Sequence, residues 1–112
     1  MDNISGTFTV EIADQERTIK ASFDAIEKIE SKHGAVMEIL QEALEQRLKT
    51  STCASIIHIG LAANGDTRLS YKQIGDDILK NGLASYLGVI IEYFTYVLTG
   101  GKEGKEDPLV EK

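Results

Sequence analysis

Residues 83–100, LASYLGVIIEYFTYVLTG, decide how the rest of the chain is read. Placed on a helix at 100° per residue, Leu83, Leu87, Ile90, Ile91, Phe94, Val97 and Leu98 form one apolar stripe. Tyr86, Val89, Tyr93 and Tyr96 follow i, i+3, i+7 and i+10 and form a second row beside it. The two rows together cover an arc of roughly 220°, well beyond the stripe of an ordinary surface helix. Such a helix needs neighbours on two sides. One is the domain's own core; the other is more of that core, a second copy or a foreign partner. Ser85, Glu92, Thr95 and Thr99 give the segment a polar side, and a membrane span takes about 20 predominantly apolar residues, so a transmembrane reading is set aside.

Upstream, the clearest local signal is a helix start. Ser70 and Gln73 stand at S-x-x-Q spacing for a capping box, with Leu69 and Ile74 placed as a hydrophobic staple. The spacing predicts a helix over 71–81, with Ile74, Ile78 and Leu79 inward and Asn81-Gly82 as its stop. Over 52–63, Cys53, Ile56, Ile57, Gly60 and Leu61 recur at helical spacing. The subset Ile56-Ile57-His58-Ile59 also reads as a buried strand, and Ala62, Ala63 and the Asn64-Gly65 stop favour helix. A helix over 35–48 carries Val36, Ile39, Leu40, Ala43, Leu44 and Leu48 inward and an acidic outer face. Before it, Ser22 caps a helix over 23–33 that turns Phe23, Ile26, Ile29 and His33 to one side and ends in a left-handed cap at Gly34.

At the N-terminal end the period changes from 3.6 to 2. Phe8, Val10 and Ile12 alternate with Thr7, Thr9 and Glu11, and Ile19 and Ala21 alternate inward in the return strand, which predicts a β-hairpin over 6–21. The connection Ala13-Asp14-Gln15-Glu16 holds no glycine, so a loop of about three to five residues is expected. The fold class is therefore α+β, mostly α. A hairpin and about five helices make a single domain over 1–100, and 101–112 is a charged tail expected to be disordered. Leu109 and Val110 leave open a short docking arm.

At 112 residues, with a net charge of −6, the chain has one modest core and lacks the clustered cations that bind nucleic acid. The first residues lack the basic and apolar regions of a signal peptide, and the expectation is a cytoplasmic protein. Cys53 is the only cysteine and reads as a buried, reduced thiol. His33 and His58 have no ligand-spaced partners, and the paired carboxylates Asp76-Asp77 have no apolar surroundings. No cofactor, metal or catalytic residue is expected, and the chain reads as a binding module, not an enzyme.

Several motifs carry a resemblance. The alternating hairpin, then ASFDAIEKIESKHG over 21–34, then LSYKQIGDDILKNG over 69–82 and the closing LTGG, resembles the small tail assembly chaperones of gene transfer agents and long-tailed phages. The family usually shows a glycine in the hairpin turn, where this chain has Asp14-Gln15-Glu16. The resemblance implies a protein of the bacterial host cytoplasm that keeps the long helical tape measure protein soluble and helps tail tube subunits polymerise around it. The partner-binding residues expected are Tyr86, Val89, Tyr93 and Tyr96; the competing reading packs this row on the 35–48 helix. Two further readings stay open: a minor tail component retained in the particle, and an unrelated cytosolic helical adaptor. Self-association is a further expectation, whereas a membrane or nucleic-acid partner is not.

Overall fold

The structure, a computed structural model, describes residues 6–100. In chain order the elements are β1 (Thr7–Ile12), β2 (Gln15–Lys20), α1 (Phe23–His33), α2 (Val36–Leu44), α3 (Thr50–Ala63), α4 (Tyr71–Asn81) and α5 (Ala84–Thr99). The hairpin and five helices are those read from the sequence, and the ambiguous stretch at Ile56 is helix. The tail over 101–112, with its docking-arm alternative at Leu109 and Val110, lies outside the described residues.

The centre of the fold is α3, not α5. Thr52, Cys53, Ala54, Ile56, Ile57, Ile59, Gly60 and Leu61 are buried, so most of its circumference is covered. β2, α1 and α4 pack around it, while α5 lies against β1 and α2. The wide apolar arc of α5 is thus met from inside the domain on both sides. Tyr86, Ile90, Tyr93 and Phe94 are buried, and Leu87, Ile91 and Val97 are half-buried beside them.

Gly60 allows a close contact in the core. A Cβ built there would stand 2.8 Å from the Cβ of Ile19, which has no exposed surface. Helix α3 therefore lies on the Ile19 side chain of β2 at a distance that no larger residue allows. Phe8, Val10, Ile12 and Ile19 fill the same face of the hairpin, as the alternation predicts. Arg17 shares that face, and it is 8% exposed. Its Nη1 donates to Asp66 Oδ2 at 2.9 Å and its Nη2 to Gln15 Oε1 at 2.9 Å. Asp66 is in place because α3 ends in a Schellman turn: Gly65 takes φ 82° and donates to Ala62 O, and Asp66 N–H donates to Leu61 O. Arg68, through two side-chain bonds of 3.1 Å, and then Arg17 hold the Asp66 carboxyl well below the usual carboxylate range.

Several expectations change in detail. The hairpin turn has two residues, not three to five. Ile12 pairs with Gln15, and Ala13 and Asp14 take φ 57° and 63°, a type I′ turn whose twist matches the strands. Asp14 accepts this conformation readily, and Ala13 holds it at a cost of about 1 kcal/mol. Helix α2 stops at Leu44, four residues short of the expected end. Gln46 at φ 60° forms a second Schellman turn there, with Arg47 N–H donating to Glu42 O at 2.7 Å; Leu48 is still buried, from the loop. Gly34 closes α1 at φ 98°, ψ −173°, outside the left-handed helical well. Phe23, Leu44 and Leu79, read as inward, are 78%, 59% and 74% exposed. In α1 the residues that meet α3 are Ala25 and Ile29; Phe23 lies about 160° round the helix from Ala25. Leu44 and Leu79 stand on the flanks of their buried stripes.

Two consequences are measurable. Gly60→Ala gains up to about 1 kcal/mol of helix propensity but forces α3 off β2, a packing cost of about 1–3 kcal/mol, so its thermal midpoint falls. An unchanged or raised midpoint would show that the two elements separate freely. For Asp66 the carboxyl titrates lower in the folded than in the unfolded chain, so its contribution is complete above the unfolded value and is lost as pH falls below about 4. Asp66→Asn should lower stability at pH 7 by up to about 3 kcal/mol and flatten the acid limb of a midpoint-against-pH curve relative to the parent protein.

Candidate partner-binding surfaces

The tyrosine row of α5 faces the hairpin and α4, not α2. Tyr93 has no exposed surface; its hydroxyl donates to Lys20 O at 2.8 Å, and its ring meets those of Phe8 and Phe94 edge-on at 5.8 and 5.1 Å. Tyr86 is 3% exposed and donates to Asp77 Oδ2 at 2.8 Å while accepting from Asn81 Nδ2 at 3.2 Å. Burial pushes the Tyr86 hydroxyl up to about 12 and raises that of Tyr93 as well. Tyr96 is half-buried against Phe8 at 5.9 Å, and its ring crosses Gly6. Two of the four residues expected to touch a partner thus hold the hairpin and α4 in place. The structure brings all four to one side of α5, and Val89 and Tyr86 also line a groove there.

That groove has a volume of about 410 Å³ and runs between β1 and the N-terminal half of α5. Thr9, Val10 and Glu11 form one wall, Asp14 closes the hairpin end, and Asn81, Ser85, Tyr86 and Val89 form the other side. No cation is among these residues.

A second groove, of about 600 Å³, separates α1 from α3. Its floor is made of small or apolar residues, Ala25, Ile59, Ala62 and Ala63, and its rim carries Lys28, Lys32 and His58 with Asp24 and Ser22. Lys28 and Lys32 stand one turn apart on α1, so both ammonium groups lie along one edge. The sequence signal was there in Ala25, Lys28 and Lys32 at helical spacing and in the paired alanines ending α3, but it does not show that the two helices leave a gap.

Away from the grooves, Phe23, Met37, Leu44, Tyr71 and Leu79 are exposed by 46–78%. Cys53 is fully buried, and burial pushes its thiol up to about 12. His33 shares a 2.8 Å hydrogen bond with Ser55 Oγ, and burial, followed by Lys32 and Lys49, lowers its affinity for a proton. His58 meets the ring of Tyr71 edge-on at 6.5 Å. Among the described residues no three of His, Cys, Asp and Glu gather where a metal would sit, and no helix is long and apolar enough to cross a membrane.

The profile of one protein family, described as "Phage tail tube protein, GTA-gp10", matches residues 5–100 of the chain. The chain belongs to this family. Comparison with curated proteins and with solved structures gives no match. The match spans the hairpin and all five helices, so the phage tail assignment rests on the whole described fold and not on one motif.

In this phage tail protein the Tyr93 hydroxyl is the only part of a buried ring that is polar, and it bonds the strand carbonyl directly. Tyr93→Phe should keep the fold and lower stability by about 1 kcal/mol, the net value of one such bond, in a denaturant titration. A loss within error would show that Lys20 O finds water instead.

Proposed function

We propose that the protein is a tail assembly chaperone, which binds the tape measure protein and assists assembly of the tail tube without catalysing a reaction. The observation that carries this reading is the open groove between α1 and α3. Its floor is apolar, and three of its four residues, Ala25, Ala62 and Ala63, are small, so a helix of a partner can approach closely beside Ile59 and lay an apolar ridge into it. Lys28 and Lys32 along the rim meet acidic residues flanking such a ridge. A tape measure protein is a long helix with apolar stripes, the kind of ligand that such a groove takes. Phe23, Met37 and Leu79 add exposed apolar surface on three helices, and the net charge of −6 keeps a loaded complex soluble. The tyrosine row contributes indirectly, since Tyr86 and Tyr93 hold the hairpin against the helices.

The family description favours a second reading, a component that stays in the mature tail. The two separate in one experiment: co-expression with the tape measure protein of the same phage or gene transfer agent, followed by analysis of purified particles. A chaperone makes the tape measure protein soluble, co-elutes with it and is absent from particles. Lys28→Glu with Lys32→Glu should weaken that co-elution while leaving the fold intact, since both side chains are solvent-exposed. A tape measure protein that stays insoluble, with this chain abundant in purified tails, would replace the chaperone reading by the structural one.

A further inference from the structure

Among the described residues the sheet has two strands, so no third strand pairs with β1 at Thr9 and Glu11. Its register fixes which backbone groups point outward. Ala21 N–H donates to Gly6 O at 2.8 Å, and Ile12 faces Gln15 across the turn, so Phe8, Val10 and Ile12 exchange their hydrogen bonds with β2. The amides and carbonyls of Thr9 and Glu11 then point away from β2. No hydrogen bond within the described residues uses either amide on that side. The groove of about 410 Å³ lies along this edge, because residues from both faces of β1 line it: Thr9 and Glu11 from the outer face, Val10 from the inner. Val89 and Tyr86 line its helical side.

Charge points to the occupant. Glu11 stands directly opposite Glu16 in the hairpin, a like-charge pair that is unfavourable by itself. Asp14 closes one end of the groove, Asp77 holds the hydroxyl of Tyr86 at its wall, and the lining contains no Lys or Arg. We propose that β1 takes, along Thr9 and Glu11, an extended, cationic segment of a partner protein as a third strand. Its backbone pairs with Thr9 and Glu11. Its side chains alternate, Lys or Arg beside Glu11 on the outer face, one strand away from Glu16, and apolar residues over Val89 and Tyr86 on the inner. This surface is distinct from the α1/α3 groove and does not rest on the chaperone reading.

The test uses the full chain, labelled with ¹⁵N, and an acetylated, amidated peptide of alternating Lys and Val; the controls are alternating Glu and Val, and a Lys peptide with Pro at each second position. Strand addition predicts that the Lys-Val peptide alone binds, and that amide exchange at Thr9 and Glu11 slows on binding while the exposed amides of α4 are unaffected. Glu11→Lys should weaken binding by about tenfold, through loss of one cross-strand charge pair and its replacement by repulsion. Thr9→Pro removes only the outward donor, which an edge strand tolerates, and should abolish binding; a melting curve checks its fold. Binding that leaves the Thr9 and Glu11 amides unprotected, that the Pro-containing peptide reproduces, or that Glu11→Lys does not weaken would overturn the proposal. So would a dimer of the parent protein that Glu11→Lys dissociates, since the edge would then belong to a second copy.

Discussion

The contact between Gly60 and Ile19 sets the distance between the central helix and the sheet. A two-stranded hairpin alone is marginal in water and depends on what it packs against. Here α3 presents a position without a side chain, and β2 lies on it closely enough that a methyl group would collide with Ile19. The remaining attachments follow from that approach. Tyr93 reaches past α3 to the carbonyl of Lys20, and Arg17 reaches the loop at the end of α3 to meet Asp66. The inner face of the hairpin is thus fixed by packing, by one neutral hydrogen bond and by one shielded ion pair. Its outer face and the edge at Thr9 and Glu11 take no part in this attachment, and they are the parts of the hairpin left for other contacts.

Shielding gives the ion pair its weight. Arg17 and Asp66 expose 7% and 11% of their side chains, so each has exchanged most of its hydration for protein partners, Asp66 and Gln15 for the one and Arg17 and Arg68 for the other. Removing Asp66 would leave the Arg17 guanidinium in low-dielectric surroundings, which costs more than the pair itself contributes, whereas Asp66 without Arg17 keeps its bonds to Arg68. The exposed pair between Lys72 and Asp76 carries no such penalty and is worth a few tenths of a kcal/mol. The hairpin is therefore tied to the α3–α4 connection in a way that depends on the ionisation of one carboxylate.

What the sequence revealed was what is decided locally. The caps at Ser22 and Ser70 and the glycine after α4 depend on a few adjacent residues, and α1 and α4 begin and end where those residues place them. The end of α2 was hidden because Gln46, with no glycine or proline nearby, takes the left-handed conformation that closes the helix. The tight hairpin turn was hidden for the same reason, since Ala13 and Asp14 adopt a conformation usually marked by glycine. Arg17 was legible in principle: it shares parity with Ile19, and on a half-buried strand parity outranks residue type. Which helix becomes central was not legible. The arc of α5 is wide, but α3 mixes Ile with Thr, Ser, Ala and Gly, and small residues let neighbours close in on every side without raising its hydrophobicity.

The candidate surfaces were harder still, because each is a gap between elements far apart in sequence. Lys28 and Lys32 lie more than 25 residues from Ala62, and Glu11 lies 78 from Val89. Tyr86 and Val89 were read from the sequence as contact residues, and the fold places them at a groove, but it turns Tyr86 inward to bond Asp77. The two grooves also differ in sign, one rimmed by Lys28 and Lys32 and the other by Glu11 and Asp14. On a chain of net charge −6 the cationic rim is the exception, so an acidic helix that meets repulsion over much of the surface is drawn to α1. A basic segment meets the opposite field and is drawn to the hairpin. One partner carrying both kinds of segment would thus be held in a fixed orientation by electrostatics before any apolar contact forms, and charge repulsion would oppose the reversed arrangement.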